Sequence, residues 1–298
     1  MPEARTFRFT GTEPVRVNKW LAQQGVCSRR EAEALIEAGQ VSVEGETISS
    51  PGHKISPGQS LTLAGRATQK LASKLSVILH KPIGYVSGTP EDDQIPAVRL
   101  LTTKAAAGRQ PVIPSGKHKL APVGRLDQDS RGLLIMSEDG AVAKAVIGPE
   151  ADMEKEYIVR IRGSVSENQL RQLRHGLNLD GRRLKKAVVE QVEIQTLRFV
   201  LREGRNRQIR RMCDLVELRV VDLKRIRIGP LELGDLPEGQ WRTLTPDERA
   251  ALIAQPVRKP KPASQRGQPA GAKPTAKPQR RTSPPPRRRK PRPGPAKP

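Results

Sequence analysis

The sequence predicts an α+β protein in which a mostly antiparallel sheet is flanked by helices and preceded by a smaller domain. Several short helical stripes end at a glycine, and apolar runs of strand length stand between them. Residues 187–194 and 197–204 are two such runs, and they follow one another closely enough to be adjacent strands. A chain of 298 residues is long enough for two domains with a sizeable core.

The net charge of +23 is extreme for this length and indicates a polyanionic partner. Phosphate neutralisation makes nucleic acid the first candidate and an anionic membrane surface the second. No apolar stretch approaches the roughly 18 residues that a spanning helix needs. The first residues, MPEARTFRFTG, lack the apolar core of a signal peptide, so we expect a cytoplasmic protein. The only cysteines, Cys27 and Cys213, suggest neither a disulfide framework nor a zinc site.

Residues 255–298 are predicted to form a disordered basic tail. The segment from Pro256 to Pro298 contains 14 Lys or Arg, no Asp or Glu, and 13 of the 27 prolines. Such a composition cannot bury enough apolar surface to offset the entropy of ordering the chain. Two roles are open for the tail: salt-sensitive attraction to RNA, or solubility and localisation with no part in the chemistry.

Residues 15–64 are predicted to form a small basic domain after a flexible stretch, residues 1–14. The first helix has apolar residues at helical spacing and ends at Gly25. The second begins at a capping box of Ser28 and Glu31 and also ends at a glycine. The following QVSVEGETI alternates like a strand, a turn and a strand. Two helices packed on a hairpin give a compact face that can meet phosphate.

Arg29 and Arg30 are the candidate RNA-binding side chains of this domain, because they lie at the exposed start of the second helix. The basic positions, the capping box and the glycines agree together with the pattern of the S4 RNA-binding domain, which residues 16–63 resemble. Either arginine alone could be merely solvated, but the module as a whole implies RNA binding.

A polar linker, residues 65–74, is predicted to join this domain to a second one, residues 75–254. The run VILHKPIGYVSGT indicates a buried strand that breaks at Pro82 and Gly84 and then resumes. Residues 102–119 are rich in Ala, Gly, Pro and Lys without periodicity. This composition predicts a mobile surface loop that could lie near an active cleft.

The later part of the second domain has the signals of a sheet with flanking helices. The stretch SENQLRQLRHG predicts a helix capped by Ser166 and stopped by Gly176. The stretch VVDLKRIRIGPLEL predicts a strand in which Arg225 and Arg227 share a face and could point into a basic cleft. The final LPEGQWRTLTPDERAALI predicts a turn and a short helix.

One stretch, PVGRLDQDSRGLLIMSEDG, places Arg125 and the carboxylates of Asp127 and Asp129 next to an apolar run that predicts a buried strand. A carboxylate in such a place is hydrogen-bonded, paired with a base, or part of an active site, because an unpaired buried charge is too costly. Asp129 fits a turn or a structural hydrogen bond.

Four motifs, HKPIGYVS, GRLDQDSRGLLIMSEDG, EKEYIVRI and EGRNRQIRRMC, resemble those of the pseudouridine synthases in order, spacing and wording. The resemblance covers residues 75–253. Together with the S4-like domain it indicates the RsuA/RluB/RluE/RluF branch, and CSRREAE, EKEYIV, NRQIRRMC and GQWRTLT are most similar to its RluF members, which modify large-subunit ribosomal RNA. The resemblance implies an S4 RNA-binding domain followed by a catalytic domain that isomerises a uridine in 23S ribosomal RNA.

By this resemblance Asp127 is the catalytic aspartate. The reaction breaks the C–N bond of a uridine, turns the bound base and joins its C5 to the same sugar carbon. The carboxylate can attack the sugar carbon as a nucleophile or take a proton from the neighbouring carbon, and a base then removes the C5 proton. The sequence does not choose between these routes. The resemblance also implies that the target nucleotide is flipped out of its stack.

Further roles follow from the same matching. Tyr157 corresponds to the active-site tyrosine that stacks on the uracil, although it could also be ordinary strand core. Arg205 matches the arginine that pairs with the catalytic aspartate and keeps it ionised, with Arg207 and Arg210 close by in sequence. Arg125 resembles the arginine that fills the space left by the flipped base.

The motif EGRNRQIRRMC is predicted to enter a helix whose apolar stripe includes Cys213. Cys213 is therefore a core residue rather than a nucleophile. Arg210 and Arg211 fall beside the stripe, and together with Arg207 they are candidate substrate contacts.

No metal and no cofactor are expected. The chain has no G-x-x-x-x-G-K-S/T loop, no H-E-x-x-H and no paired Cys-x-x-Cys, and the implied isomerisation needs neither metal nor cofactor. A rival hypothesis is a non-catalytic RNA-binding ribosome-assembly factor, against which the intact motif at Asp127 argues. Small-subunit ribosomal RNA and transfer RNA stay open as substrates, and a monomer is the default for an enzyme that wraps RNA.

Overall fold

The computed structural model describes residues 2–148 and 151–254. Over these ranges the chain folds into a small amino-terminal domain and a larger domain built on one nine-stranded sheet. The predicted basic tail, residues 255–298, lies outside the described residues. Within the described ranges, none of the helices has the length and apolar character required to span a membrane.

The amino-terminal domain packs two helices against a four-stranded antiparallel sheet. Its elements are β1 (Arg5–Arg8), β2 (Val15–Arg16), α1 (Val17–Gln23), α2 (Arg29–Glu37), β3 (Val41–Val43), β4 (Glu46–Thr47), β5 (Lys54–Ile55) and β6 (Ser60–Leu63). The sheet order is β1-β6-β3-β4, and β2 pairs with β5. The predicted capping box is confirmed, because the Glu31 amide donates to Ser28 Oγ and the Ser28 amide donates to Glu31 Oε2.

Two segments beside this domain differ from the prediction. Residues 5–8 form β1 rather than a flexible stretch: they pair with β6, and the buried ring of Phe9 meets Trp20 with centroids 5.3 Å apart. The expected polar linker is mostly a helix, α3 (Gly65–Ala72), whose Ala67 is fully buried. Both elements depend on contacts with residues distant in sequence, which a local pattern of polar residues does not reveal.

The larger domain alternates strands with short helices. Its elements are β7 (Ser76–Lys81), β8 (Tyr85–Val86), β9 (Ile95–Pro96), β10 (Ala121–Val123), β11 (Arg131–Ser137), α4 (Gly140–Ile147), β12 (Lys155–Arg162), α5 (Glu167–Arg174), β13 (Asn178–Leu179), β14 (Arg182–Arg183), β15 (Val188–Glu193), β16 (Thr196–Leu201), α6 (Gln208–Asp214), β17 (Arg219–Ile228), β18 (Leu231–Glu232), β19 (Trp241–Thr243) and α7 (Pro246–Ile253). The main sheet has the order β15-β16-β12-β17-β11-β7-β19, with β10 beside β11 and β18 beside β17. Among the described strands of this sheet, only β11 and β17 pair in parallel, which confirms a mostly antiparallel sheet.

The middle of the sheet is apolar on both faces. Strands β7 and β11 bury nearly all of their residues. Leu134 and Met136 belong to one apolar cluster, whereas Leu133 and Ile135 belong to another. This division follows from the period of two along a strand, which sends successive side chains to opposite faces.

The first part of the segment 102–119, residues 102–110, lies along the edge strand β19. The sequence predicted only a turn where β19 stands, but this strand pairs with β7. The buried indole of Trp241 donates to the Thr102 carbonyl at 2.8 Å, and the Thr243 amide donates to Gln110 Oε1 at 2.8 Å. The segment therefore packs at the sheet edge, and none of its residues lines the pocket described below.

The two domains contact each other through α2 and α4. The Lys74 amine lies 3.1 Å from the Glu31 carboxylate. Gly140, the first residue of α4, lies so close to α2 that a Cβ there would be 2.4 Å from the Ser28 Cβ. This contact therefore requires a glycine at position 140, and it ties the start of α4 to the capping box of α2.

Candidate active site

A pocket of about 460 Å³ lies where five segments of the larger domain meet. They are the loop between β10 and β11, the end of α4 with the residues after it, the start of β12, the loop from β16 into α6, and part of β17. The volume is within the roughly 300–1,000 Å³ that is usual for ligand pockets. The lining includes six of the predicted site residues, which are Arg125, Asp127, Tyr157, Arg205, Arg207 and Arg210.

Asp127 lies on a loop that is anchored by the segment after β7. The buried Ser87 hydroxyl accepts a hydrogen bond from the Leu126 amide at 2.9 Å and donates one to the Leu126 carbonyl at 2.8 Å. The Gly84 amide donates to the Gln128 carbonyl at 2.8 Å. The backbone is thus held on both sides of Asp127, while 33 % of the carboxylate side chain stays exposed.

The ion pair of Asp127 is made by Arg207. Its Nη1 lies 3.8 Å from Asp127 Oδ2. The same guanidinium binds Asp129 through two parallel hydrogen bonds of 3.0 Å. Arg207 therefore connects both carboxylates of the loop, and the shorter contacts go to Asp129.

The prediction that Arg205 pairs with Asp127 is wrong. The Arg205 guanidinium donates instead to the main-chain carbonyls of residues 179, 182 and 183, at distances of 3.2–3.4 Å. Arg207 has a φ of +48°, a left-handed conformation at the point where the chain enters α6. That conformation is rare for a residue other than glycine and is not readable from sequence, so the choice between arginines two residues apart could not be made there.

Asp129 has a structural role in holding the arginines of α6. Arg210 Nη2 donates to the Asp129 carbonyl at 2.7 Å, and its Nε lies 3.2 Å from the Asp129 carboxylate. Burial alone would raise the pKa of Asp129, but the hydrogen bonds from Arg207 and the charge of Arg210 outweigh it and lower the pKa. Asp129 therefore stays ionised and fixes α6 beside the loop.

The arginines of α6 that were predicted to contact substrate are occupied by carboxylates. Arg207 and Arg210 bind Asp129, as described above. Arg211 Nη1 donates to Asp180 Oδ2 at 2.9 Å, and this pair lies outside the pocket lining. The Arg207 and Arg211 side chains stay partly exposed beside these ion pairs, and the role of the three arginines in RNA contact stays a prediction.

Three other predicted cations are exposed. Arg29 and Arg30 lie on the first turn of α2 in the amino-terminal domain. Arg125 lies at the pocket with an exposed side chain, while its main-chain carbonyl accepts a hydrogen bond from Arg225 Nη1 at 3.2 Å. These three side chains are accessible to an approaching ligand.

Tyr157 forms part of the pocket wall. It lies on β12 between Phe199 of β16 and Arg225 of β17, and 8 % of it is exposed. The ring belongs to the apolar cluster of the sheet and also lines the pocket. Tyr157 is therefore both a core residue of the strand and a residue of the pocket wall.

Arg225 and Arg227 lie on opposite faces of the sheet, contrary to the prediction. Arg225 is opposite Tyr157 and Arg227 is opposite Glu156, so β17 has one extra residue, a β-bulge, between the two arginines. Arg225 is fully buried and lines the pocket, with Nε donating to a main-chain carbonyl of β11 at 2.8 Å. Arg227 binds the Glu156 carboxylate at 2.8 Å. A strict period of two does not reveal a bulge.

Gly132 allows β11 to approach β17 closely at Arg225. Its φ is +110°, and a Cβ there would lie 2.2 Å from the Arg225 carbonyl oxygen. Only glycine tolerates both the conformation and the contact. This glycine therefore sets the backbone position from which Arg225 reaches the pocket.

Two lysines near the pocket, the buried Lys81 and the half-buried Lys155, were not assigned to the site from sequence. Lys81 is fully buried and donates to the carbonyls of Pro82 and Tyr85, both at 2.8 Å. Burial lowers its pKa to about 8, although the negative charges of Asp127 and Asp129 oppose this shift. Lys155 lines the pocket, and burial followed by the charges of neighbouring cations lowers its pKa to about 8. The basic residue in EKEYIV was the available signal for Lys155.

Cys213 is part of the core of α6. Burial raises its pKa to about 12, so the thiol stays protonated near neutral pH. The described part of the chain contains no group of three or more His, Cys, Asp or Glu side chains that could hold a metal ion. The pocket lining includes the carboxylates of Asp127 and Glu203, several cations and the ring of Tyr157.

Comparisons with known proteins agree on one family. Residues 75–215 match the family described as RNA pseudouridylate synthase, and residues 15–61 match the S4 domain. The chain is 32% identical to the dual-specificity RNA pseudouridine synthase RluF of Escherichia coli (strain K12), over 80% of this chain and 78% of that protein. It is 33% identical to the ribosomal small subunit pseudouridine synthase A of Yersinia pestis, over 80% of this chain and 99% of that protein. A crystal structure of pseudouridylate synthase matches with a TM-score of 0.55 and 27% identity, covering 80% of this chain and 100% of the other.

Proposed function

The chain belongs to the RsuA family of RNA pseudouridine synthases that carry an S4 domain, and from that membership we propose that it isomerises a uridine of large-subunit ribosomal RNA. The observation that carries the assignment of the site is the pocket itself. It brings a partly exposed carboxylate, Asp127, together with the cation of Arg207 and the ring of Tyr157.

The choice of large-subunit RNA rests on the motifs shared with RluF members. The stretches CSRREAE, NRQIRRMC and GQWRTLT come from both domains, so the similarity is not confined to the pocket. Small-subunit RNA is the first alternative, because a small-subunit enzyme is also among the relatives. Transfer RNA is the second alternative.

Asp127 is the catalytic residue in this proposal. Its loop is fixed on both sides by Ser87 and Gly84, so the carboxylate needs little reorganisation when a ribose enters the pocket. It either attacks the sugar carbon or takes the proton from the neighbouring carbon, and both routes require the ionised form. The Arg207 guanidinium lies 3.8 Å from this carboxylate.

Tyr157 and Arg125 complete the proposed site. Tyr157 offers the pocket an aromatic ring on which a flipped uracil could stack. Arg125, exposed beside Asp127, is placed to occupy the gap that a flipped nucleotide leaves in the RNA. Arg205 is not assigned a catalytic role, because its guanidinium is committed to main-chain carbonyls.

The two domains are proposed to have separate roles. Arg29 and Arg30 on α2 are proposed to bind RNA phosphate through the S4 domain, residues 15–64, while residues 75–254 carry the catalysis. We propose a monomer that acts in the cytoplasm. Neither a cofactor nor a metal ion enters the proposed reaction.

The test is release of tritium from C5-labelled uridine in unmodified large-subunit ribosomal RNA. Wild type should release tritium, and Asp127→Asn should lose at least roughly 10²–10⁴-fold in rate, the range of acid–base contributions. The variant should bind RNA nearly as well as wild type, because Arg207 keeps its partner Asp129. Asp235→Asn, an exposed carboxylate outside the pocket, is the matched control and should retain the rate.

Each other outcome points to a different conclusion. Release only from small-subunit RNA or transfer RNA would keep the enzyme and replace its substrate. Bound RNA without release from any of the three would support the non-catalytic assembly factor. An active Asp127→Asn protein would refute the assignment of Asp127.

A further inference from the structure

Arg225 is a buried cation at the pocket, with 1 % of the residue exposed. Its guanidinium donates to the main-chain carbonyls of Leu133 at 2.8 Å and Arg125 at 3.2 Å. The remaining nitrogen, Nη2, is buried and meets no hydrogen-bond acceptor within the part of the chain that the structure describes. Among the same residues, no carboxylate forms an ion pair with this guanidinium, so its charge is not neutralised by them.

Other arginines of the same sheet do have carboxylate partners. Arg227, two residues further along β17, lies 2.8 Å from the Glu156 carboxylate. Arg131, at the start of β11, lies 2.7 Å from the Asp222 carboxylate. A buried charge without such a partner costs more free energy than a paired one. Because the unpaired cation of this sheet stands at the pocket, Arg225 is a candidate for a function in the reaction.

The fold holds Arg225 beside the ring of Tyr157. The two residues are directly opposite each other on β17 and β12, and both line the pocket. Directly opposite residues of paired strands present their side chains on the same face. The main chain at Arg225 is also fixed, because Gly132 of β11 lies against it. The guanidinium therefore stands next to the ring on which a flipped uracil is proposed to stack.

Two lysines add to the positive charge around Arg225. Burial lowers the pKa of Lys81 and of Lys155 to about 8, and the charge of Arg225 acts in the same direction on both. Lys155 lines the pocket, whereas Lys81 lies outside the lining. These cations repel one another, so a negative charge that forms close to them is favoured. The effect is strong in a site from which water is excluded.

The proposed reaction creates such a negative charge. When the C–N bond of the uridine breaks, its electron pair leaves with the base, and the detached uracil is an anion. On one route the Asp127 carboxylate bonds to the sugar carbon, and on the other it takes the proton of the neighbouring carbon. Asp127 loses its negative charge on both routes, and the base gains it. The bond from C5 to the sugar carbon then releases the carboxylate or returns the proton, and a base removes the C5 proton.

We propose that Arg225 stabilises the negative charge of the uracil after the C–N bond breaks. The inference rests on the proposed function, since it assigns a role in the same reaction. The charge is absent from the bound uridine, so Arg225 should act on the rate and leave RNA affinity unchanged. A phosphate carries its charge before the reaction, and a role in binding phosphate would therefore appear in the affinity.

The experiment compares the full chain on two versions of one ribosomal RNA fragment, made with uridine or with 5-fluorouridine. Fluorine withdraws electrons from the ring, so the detached base is a more stable anion and needs less help from a cation. Single-turnover consumption of each nucleoside is measured at saturating RNA after nuclease digestion, because 5-fluorouridine has no C5 hydrogen to release. Mildly acidic pH keeps both bases neutral before cleavage.

Removal of the charge should slow uridine more than 5-fluorouridine. Arg225→Gln should lower the uridine rate by about 10- to 100-fold, less than the roughly 10²–10³ of a lone electrostatic group, because Lys155 supplies a second cation. The 5-fluorouridine rate should fall only several-fold, and RNA affinity should not change. Arg225→Met is a second neutral variant with the same expected pattern. Arg225→Lys keeps the charge and should keep most of the uridine rate.

The matched control is Ser87→Ala, which removes the hydrogen bonds that hold Leu126 and leaves every charge in place. A looser Asp127 loop should slow both substrates by the same factor. An equal loss of both substrates in Arg225→Gln would mean that Arg225 only holds this loop through the Arg125 carbonyl, and would overturn the proposal. A loss of RNA affinity that accounts for the lost rate would overturn it too, in favour of phosphate binding.

Failure of this inference is distinguishable from failure of the proposed function. Wild type that consumes uridine in none of the RNAs would refute the proposed function and the inference with it. Active wild type with a neutral Arg225 variant of undiminished rate would refute the inference alone. A larger loss on uridine than on 5-fluorouridine, with unchanged affinity, would support both.

Discussion

The arginines of the pocket and those of the S4 domain are the same residue type in two different states. In the pocket, Arg207 and Arg210 are held by Asp129. On α2, Arg29 and Arg30 are exposed and form no ion pair within the described residues. The first pair is part of an internal network that positions a carboxylate, whereas the second pair is free to meet a phosphate.

This difference separates chemistry from binding. A guanidinium that is paired in a partly buried site cannot turn to RNA without leaving its carboxylate uncompensated, which is costly. An exposed guanidinium gives up only water and counterions when it binds a phosphate. Changes in the pocket should therefore act on the rate of the reaction, and changes on α2 should act on affinity and on its salt dependence.

Among the arginine changes, the largest effect on rate is expected from replacing Arg207, which connects Asp127 and Asp129. Arg207→Gln should lower the single-turnover rate of tritium release at saturating RNA by about 10²–10³-fold, the scale of removing one preorganised electrostatic group. The reason is that Asp127 loses its cation and Asp129 loses two hydrogen bonds. Arg205→Gln should cost less, because that side chain binds main-chain carbonyls of β13 and β14 and not Asp127. A larger loss with Arg205→Gln than with Arg207→Gln would reverse the assignment of the partner.

Local signals predicted α1, α2 and α5 well, whereas α3 was expected to be a linker. The capping boxes at Ser28 and Ser166 are both formed, and the glycines at 25, 39 and 176 all have positive φ. These signals work because a cap or a left-handed stop involves residues only a few positions apart. The strands β1 and β19 were missed, since pairing with β6 and β7 depends on residues that are distant in the chain.

The site was predictable in its residues and less so in its contacts. The residues of the motifs that meet at one pocket include Asp127, Tyr157, Arg207 and Arg210, whereas Arg211 lies outside its lining. The pairing of Arg207 depends on a left-handed backbone at a non-glycine residue, and the separation of Arg225 from Arg227 depends on a bulge. Neither the left-handed backbone nor the bulge is associated with a characteristic residue at these positions. The sequence therefore does not predict them.

The charge of Lys155 predicts a pH dependence for the reaction in the pocket. Burial and the charges of Arg225 and Lys185 lower the pKa of Lys155 to about 8, so its charge is present below that pH and is lost as the pH rises through it. At pH 9 roughly one tenth of Lys155 would be charged, and turnover should fall about tenfold if this cation offsets negative charge on the detached uracil. Lys155→Arg should extend activity to higher pH.

The measurement is the single-turnover rate at saturating RNA from pH 6 to 10, with wild type, Lys155→Arg and Lys155→Met. Lys155→Met should be slow at every pH and should lack the alkaline decline. Lys81 has a similar pKa and is the competing source of that decline. An unchanged decline in Lys155→Arg would assign the titration to Lys81. The exposed Lys186 is the matched control, since Lys186→Met should keep the wild-type pH dependence.

The smallest effect is expected from changing the exposed arginines of the S4 domain, Arg29 and Arg30. Arg29→Ala/Arg30→Ala should weaken RNA binding several-fold and lower the slope of log K against log salt by about 2, because two uncommitted cations are lost. The rate at saturating RNA should stay close to that of wild type, since neither side chain lines the pocket. Fold stability should also hold, because the capping box of Ser28 and Glu31 is intact. A slower rate at saturating RNA with unchanged affinity would mean that α2 acts on the chemistry, through its contact with Gly140, and the division between the two sets of arginines would then fail.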